Sequence, residues 1–303
     1  MPKLVATLAA ALVALPALAQ DDLAGRDLPP WDVVLVAHRG LAPGLPENTM
    51  AAFQDVVDRG VGVIEVDLRG TADGEVVVMH DETVDRTTDG TGDVTALTLG
   101  EIKALDAGAH AGEAYAGERV PTYEEVLAFA QDTGVMLLLD IKLSEALDRE
   151  RIVRLTEEHD AALNVIVGVR SLDDLAEFRA LNPNLRTLGF IGDASEIDAF
   201  AEAGVEIIRL WPQWIRGEES ERGSIPADCE GVENCLVERV RAHDRPVWTT
   251  AGEAGRDELI GLVEAGVNGI LTDVPDELAT LLADVEATRA GDLTVADPSK
   301  VAQ

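Results

Sequence analysis

The stretch VGVIEVDLRGTADGEVVVMHD, residues 61–81, decides how the chain is built. Its first part, Val61 to Leu68, reads as a short apolar strand bounded by Gly62 and Gly70. Glu65 and Asp67 lie two apart on that strand and therefore share a face. Two carboxylates side by side among apolar residues repel each other and lose hydration. A hard divalent cation such as Ca2+ or Mg2+ between them is the usual answer; the bland alternative is a strand edge with both acids in water. Thr71-Ala72-Asp73-Gly74 then makes a turn, and Glu75 to Met79 a second strand ending at His80-Asp81. The connection is too short for a parallel crossover, which needs about a dozen residues, so the second strand folds back antiparallel. That return brings His80 to the level of the two carboxylates, so an acid pair and a titratable imidazole share one mouth.

Outward from this hairpin, strands and helices alternate. Val33 to Ala37 is a buried strand running into His38-Arg39-Gly40, and Glu47 to Arg59 is a helix stopped by Gly60. Residues 82–120 are polar and rich in Gly, Thr and Asp, with one helical piece near Leu99 to Leu105; they form an insertion, not a barrel element. Helical spacing resumes from Thr122 to Asp132, and Val135 to Ile141 is another buried strand. Helices are then expected at Ala146–His159, Leu172–Leu181, Ser195–Ala203, Cys235–Ala242, Asp257–Ala265 and Asp276–Arg289. With the hairpin strand set aside, strands begin near 33, 62, 135, 164, 186, 205, 246 and 268, each followed by a helix. Eight such units make a (β/α)8 TIM barrel, here carrying a β-hairpin and a small insertion after its second strand.

Residues 1–19 stand apart. Lys3, the apolar run Leu4 to Leu18 and the small-residue site Ala17-Leu18-Ala19 have the form of a secretory signal peptide cleaved after Ala19, which predicts a periplasmic or secreted protein. An acidic leader (20–32), the barrel (33–290) and a flexible tail (291–303) complete the expected organisation. The chain of 303 residues is 47% hydrophobic, enough for one large core, and its formal charge is −33. Nucleic-acid binding and stable membrane anchoring are disfavoured, because both need a basic footprint and no other apolar run approaches 18 residues. So acidic a surface suits a medium of high ionic strength, where screening tames self-repulsion. Past the leader only Lys103, Lys142 and Lys300 remain, which makes Lys142, at a strand end, conspicuous. Cys229 and Cys235 lie six apart in a loop; in an exported protein a local disulfide is favoured over two free thiols.

The barrel makes a forecast, since active sites of this fold sit at the C-terminal ends of the strands. There the sequence puts His38-Arg39, Glu65 and Asp67, Asp140 and Lys142, Arg209, Trp248 and Asp273, with His80 joining through the hairpin. Asp140 and Lys142 share parity on the third barrel strand. Neighbouring strands lie about 4.8 Å apart, so Glu65, Asp67 and Asp140 can converge on one cation. A buried Asp140–Lys142 ion pair is the competing reading. On the sixth barrel strand Arg209 and Trp211 share a face at the mouth, where Arg209 can meet an anionic substrate between Trp211 and Trp248 as walls. The alternative pairs Arg209 with Glu206 or Asp273 and packs Trp211 under the loop. His159 and His243 read as surface residues, and His110 as structural or exposed.

His38-Arg39-Gly40, then Pro46-Glu47-Asn48-Thr49, Glu65-x-Asp67, Thr71-x-Asp73-Gly74, His80-Asp81, Arg86-Thr87-Thr88, Gly117 to Thr122 and Thr272-Asp273-x-Pro275 together resemble the glycerophosphodiester phosphodiesterases over about residues 34–275. The resemblance implies hydrolysis of glycerophosphodiesters to glycerol phosphate and an alcohol, with one divalent metal, Ca2+ or Mg2+. It implies His38 and His80 as the acid/base pair, Glu65, Asp67 and Asp140 as metal ligands, and Arg39 and Lys142 on phosphate oxygens. The chain departs from the family pattern at Asp140, where Glu is usual, at Arg170-Ser171 in place of Ser-Phe, and at Thr250-Ala251 after Trp248-Thr249. A phospholipid-cleaving lyase and a non-catalytic binding barrel are the alternatives. The acidic surface speaks against the first, and the intact set of imidazoles and carboxylates against the second.

Overall fold

The computed structural model describes residues 32–294 apart from 143, 145, 146 and 219–222. The expected signal peptide, all of the leader but Asp32, and residues 295–303 of the tail therefore lie outside the described residues. Nine strands follow in chain order: β1 (Val34–Ala37), β2 (Val63–Gly70), β3 (Val76–Val78), β4 (Met136–Ile141), β5 (Val165–Val169), β6 (Arg186–Gly189), β7 (Ile207–Leu210), β8 (Val247–Gly252) and β9 (Gly269–Thr272). They pair in the order β1-β9-β8-β7-β6-β5-β4-β2-β3, and β1 also pairs with β2. Eight parallel strands thus close a barrel. β3 stays outside the ring, antiparallel on the Leu68–Gly70 extension of β2. The eight-unit barrel and the hairpin read from the sequence are both present.

Period-two alternation divides the strands between two apolar layers. Val36, Val63, Leu138, Ile166, Leu188, Ile207, Trp248 and Leu271 fill the barrel interior. The intervening residues, such as Ile64, Val66, Leu137, Leu139, Val167 and Ile208, pack outward into the main core under the helices. The insertion has a small core of its own, in which Val84, Val94, Ile102, Ala107 and Val120 close over Val77 and Met79 of the hairpin.

The helices are α1 (Met50–Asp58), α2 (Leu99–Ala104), α3 (Tyr123–Thr133), α4 (Arg149–Glu158), α5 (Leu172–Leu181), α6 (Ile197–Glu202), α7 (Pro212–Ile215), α8 (Cys235–Arg241), α9 (Arg256–Glu264) and α10 (Pro275–Thr294). α3 opens with a capping box between Thr122 and Glu125, worth about 1 kcal/mol. Lys103 of α2 reaches the same Glu125 and so ties the insertion to the barrel wall. α1 begins at Met50 and not at Glu47, because Asn48 sits at φ 55° and Thr49 is the cap. α6 is preceded by a 3-10 turn capped by Asp193, which explains the early expected start at Ser195. α7 has no counterpart in the sequence reading, and α10 runs to Thr294, past the expected end at Arg289. Cys229 and Cys235 are joined in a disulfide. Among the described residues no helix is long and apolar enough to cross a membrane.

Candidate active site

The site starts where β1 ends. Ala37 leads into a tight turn over His38–Gly40, in which Arg39 takes φ 55° and Gly40 φ 65°. A Cβ on Gly40 would lie 2.4 Å from the Phe53 ring, so only glycine fits there. The turn aims the Arg39 N–H at Glu65 Oε2, 2.9 Å away, while the Arg39 carbonyl accepts from Asn48 N.

Glu65, Asp67 and Asp140 come together as parity and strand pairing require: β2 and β4 run in register with Asp67 opposite Asp140. Each offers a carboxylate oxygen within 4.8 Å of the others'. Glu65 and Asp67 are buried, so the repulsion is not relieved by water. Burial and the Asp67 charge, helped by Asp140, push Glu65 up to about 8 against the opposing pull of His38 and the Arg39 N–H. Lys142 bridges the other two acids, its Nζ 2.7 Å from Asp140 Oδ2 and 3.0 Å from Asp67 Oδ1. The Asp67 contact lacks the alignment of a hydrogen bond and leaves that buried oxygen unsatisfied. Arg170, from the end of β5, takes Asp140 Oδ1. Burial alone would raise the Asp140 carboxyl, but Lys142, Arg170 and Arg209 hold it below the usual carboxylate range. The ion pair and the acid cluster expected as rivals therefore coexist. Hard oxygen donors, one of them unsatisfied and all crowded by like charge, fit a divalent cation.

Both imidazoles are backed by a carboxylate on Nδ1. His38 Nδ1 is 2.7 Å from Asp273 Oδ1, and His80 Nδ1 is 2.8 Å from Asp81 Oδ1. Such a contact fixes the tautomer that donates from Nδ1 and turns Nε2 toward the reacting side. Burial alone would lower the His38 imidazole. The Asp273 hydrogen bond and the charges of Glu65 and Asp273 outweigh it, so His38 stands above its ordinary value of 6.5. His80 is held at the same mouth by its backbone: the next residue back, Met79, donates to Asp67 O, and Arg69 donates twice to His80 O, at 3.0 and 2.7 Å.

Arg39 reaches Glu47 at 3.2 Å and Asp67 at 3.5 Å. On the opposite wall the buried Arg209 guanidinium lies 3.5 Å from the Trp211 ring centre and 5.2 Å from that of Phe190. Glu206 pairs with Arg186 and Asp273 with His38, while the Arg209 charge acts on Asp140. Trp211 is partly buried against the main core. Trp248 is corrected. The sequence puts it at the mouth as a wall, but β8 runs on past it to Gly252. Trp248 is consequently sunk one layer down in the barrel interior, 4% exposed, over Gly269, where a Cβ would meet its ring at 2.6 Å. It is floor, not wall. His243 forms a partly exposed ion pair with Asp198 at 2.9 Å, and His110 is exposed. A groove of about 750 Å3 between the hairpin turn and α4, lined by Thr71, Gly74, Arg151 and Arg154, contains none of the residues of this site.

The sequence places Asp273 at the mouth without a task at His38, and it gives no role to Asp81, Glu47 or Asn48. Asp81 was the most accessible of them, since it adjoins His80. Asn48 donates to Asp67 Oδ2 at 3.0 Å, and its φ of 55° is what turns its side chain there.

Residues 38–277 match the glycerophosphoryl diester phosphodiesterase family. The chain is 34% identical over 253 residues to the glycerophosphodiester phosphodiesterase of Caldanaerobacter subterraneus subsp. tengcongensis, covering 82% of this chain and 97% of that one. It is 30% identical over 272 residues to the Bacillus subtilis glycerophosphodiester phosphodiesterase, covering 83% and 87%. In fold it is similar to an Oleispira antarctica phosphodiesterase solved in complex with the product sn-glycerol-3-phosphate. That likeness has a TM-score of 0.69 at 22% identity and covers 84% of this chain and 97% of the other.

Proposed function

The chain belongs to the glycerophosphoryl diester phosphodiesterase family, and on that premise we propose that it is an exported, metal-dependent enzyme that hydrolyses glycerophosphodiesters to glycerol phosphate and an alcohol. The observation that carries this reading is the pair of carboxylate-backed imidazoles, His38 and His80, beside a buried three-carboxylate cluster. Glu65, Asp67 and Asp140 would hold one divalent ion, Ca2+ or Mg2+. Such an ion, when bound, neutralises charge on the non-bridging phosphate oxygens. Arg39 and Lys142 add fixed positive charge on the same oxygens. One imidazole takes the proton from the glycerol hydroxyl next to the phosphate as it attacks, and the other delivers a proton to the leaving alcohol. The cyclic phosphate formed is then opened by water, with the two imidazoles exchanging roles. The export part rests on the signal peptide expected at residues 1–19 and is tested by sequencing the N-terminus of the mature protein, expected at Gln20.

A panel of glycerophosphodiesters followed by phosphorus NMR tests the activity. Glycerol phosphate should accumulate, EDTA should abolish turnover, and Glu65→Gln or Asp67→Asn should do the same in a protein that remains folded. Full activity in chelator would remove the metal from the scheme. Accumulation of a cyclic phosphate as the end product would make the enzyme a lyase.

A further inference from the structure

The run Arg86-Thr87-Thr88 stands in the insertion and has no part in the chemistry above. Arg86 nevertheless reaches the site from outside the barrel. Its Nε and Nη2 donate to the two carboxylate oxygens of Asp81 at 2.7 and 2.9 Å. Its Nη1 and Nη2 donate to both oxygens of Glu47, each at 2.7 Å. Asp81 in turn holds His80 Nδ1 at 2.8 Å, and Glu47 holds Arg39 Nη1 at 3.2 Å. One guanidinium thus spans two carboxylates, each of which orients a different working group of the site.

We propose that Arg86 is a positioning residue that sets His80 and Arg39 together, so that the insertion fixes the proton-transfer group and the phosphate-binding group in one motion. This rests on the roles given to His80 and Arg39 above. A planar fork suits the task, because a lysine ammonium is a point charge and cannot hold two carboxylates bidentately. The Glu47 side chain is only 11% exposed. Burial alone would raise its carboxyl, but Arg86 and then Arg39 hold it below the usual range. Removing Arg86 would leave that buried carboxylate with Arg39 alone and free Asp81 to turn from His80. The fold of the insertion does not depend on this clamp. Its own apolar cluster and the bonds from Arg119 to the Ala104 and Leu105 carbonyls hold it.

The test compares wild type with Arg86→Met, Arg86→Lys, Asp81→Asn and Glu47→Gln on one glycerophosphodiester, with melting temperatures alongside. Asp81→Asn should act chiefly on kcat and Glu47→Gln chiefly on KM, whereas Arg86→Met should move both. Arg86→Met should lower kcat/KM roughly ten- to hundred-fold, the worth of one or two charge-assisted contacts, with melting changed by only a few degrees. Asp81→Asn should cost far less in the Arg86→Met background than in wild type, because the two act through one imidazole. Arg86→Lys should recover only part of the loss, and it carries the test if the Met variant does not fold. Wild-type kcat and KM in a folded Arg86 variant, or full additivity with Asp81→Asn, would overturn the proposal. A wild-type protein that turns over no glycerophosphodiester would sink the functional reading instead. The nitrogen-15 signals of the His80 ring would then decide the matter, since a fixed Nδ1–H tautomer in wild type should be lost in Arg86→Met and an unchanged tautomer would refute the clamp.

Discussion

The two halves of the barrel mouth use positive charge in different ways. On the β1–β2–β4 side three cations are held by carboxylates: Arg39 by Glu47 and Asp67, Lys142 by Asp67 and Asp140, Arg86 by Glu47 and Asp81. On the β5–β7 side the guanidiniums also lie over rings, Arg170 5.0 Å from the Phe190 centre while it pairs with Asp140, and Arg209 between Phe190 and Trp211. Carboxylate pairs are directional and place atoms within tenths of an ångström, which proton transfer demands. Ring contacts are broad and tolerate sliding, which suits a surface that accepts a substrate. Under the function proposed above, this difference would divide the labour, with chemistry on the charge-paired half and recognition on the half with stacked guanidiniums.

That contrast can be broken at three levels. The largest effect belongs to the paired half. His38→Ala and His80→Ala should each cost roughly 10²–10⁴ in turnover, the usual worth of a positioned acid or base. The double variant should fall well short of the product, since both act in one step. Steady-state kinetics showing near wild-type turnover in either single variant would make that imidazole structural.

The stacked half should respond more gently. Arg209→Met keeps the volume between the rings and removes the charge, so kcat/KM should fall by about a factor of ten with thermal stability little changed. Unchanged kinetics with a large drop in melting temperature would assign Arg209 to the scaffold and erase the division.

The smallest effect tests the Asp273 support of His38 through pH. The folded imidazole stands above its ordinary 6.5. Its contribution to stability is therefore fully present below about 6.5 and is lost as pH rises through the folded value. Asp273→Asn, in metal-free protein, should lower melting temperature more at pH 5.5 than at pH 8.5, and the acid limb of kcat/KM should move to lower pH in the loaded enzyme. Glu65 supports and Arg39 opposes the charge on the same ring, and burial, the largest influence, opposes it as well, so the upward shift should be lost without Asp273. Equal destabilisation at both pH values would show that Asp273 acts on packing alone.

Much of this was legible because a strand has a period of two. Glu65 with Asp67, and Asp140 with Lys142, share a face whatever the rest of the chain does, and a four-residue turn admits only an antiparallel return for His80. The alternation of apolar runs with helical spacing likewise determined the eight-unit barrel, its hairpin and its insertion. Trp248 marks where that reasoning ends: its place near a strand end suggests the mouth but does not tell how high it stands. Height depends on where β8 stops and on the stagger of a closed barrel, which belongs to all eight strands together. Asp273 meets His38 across 235 residues, because β9 closes on β1, and Arg86 meets Glu47 across 39, because the insertion folds back over the mouth. Local periodicity decides which way a side chain faces; only ring closure decides what it faces, because contacts between distant segments are set by the packing of the whole and leave no period in the sequence.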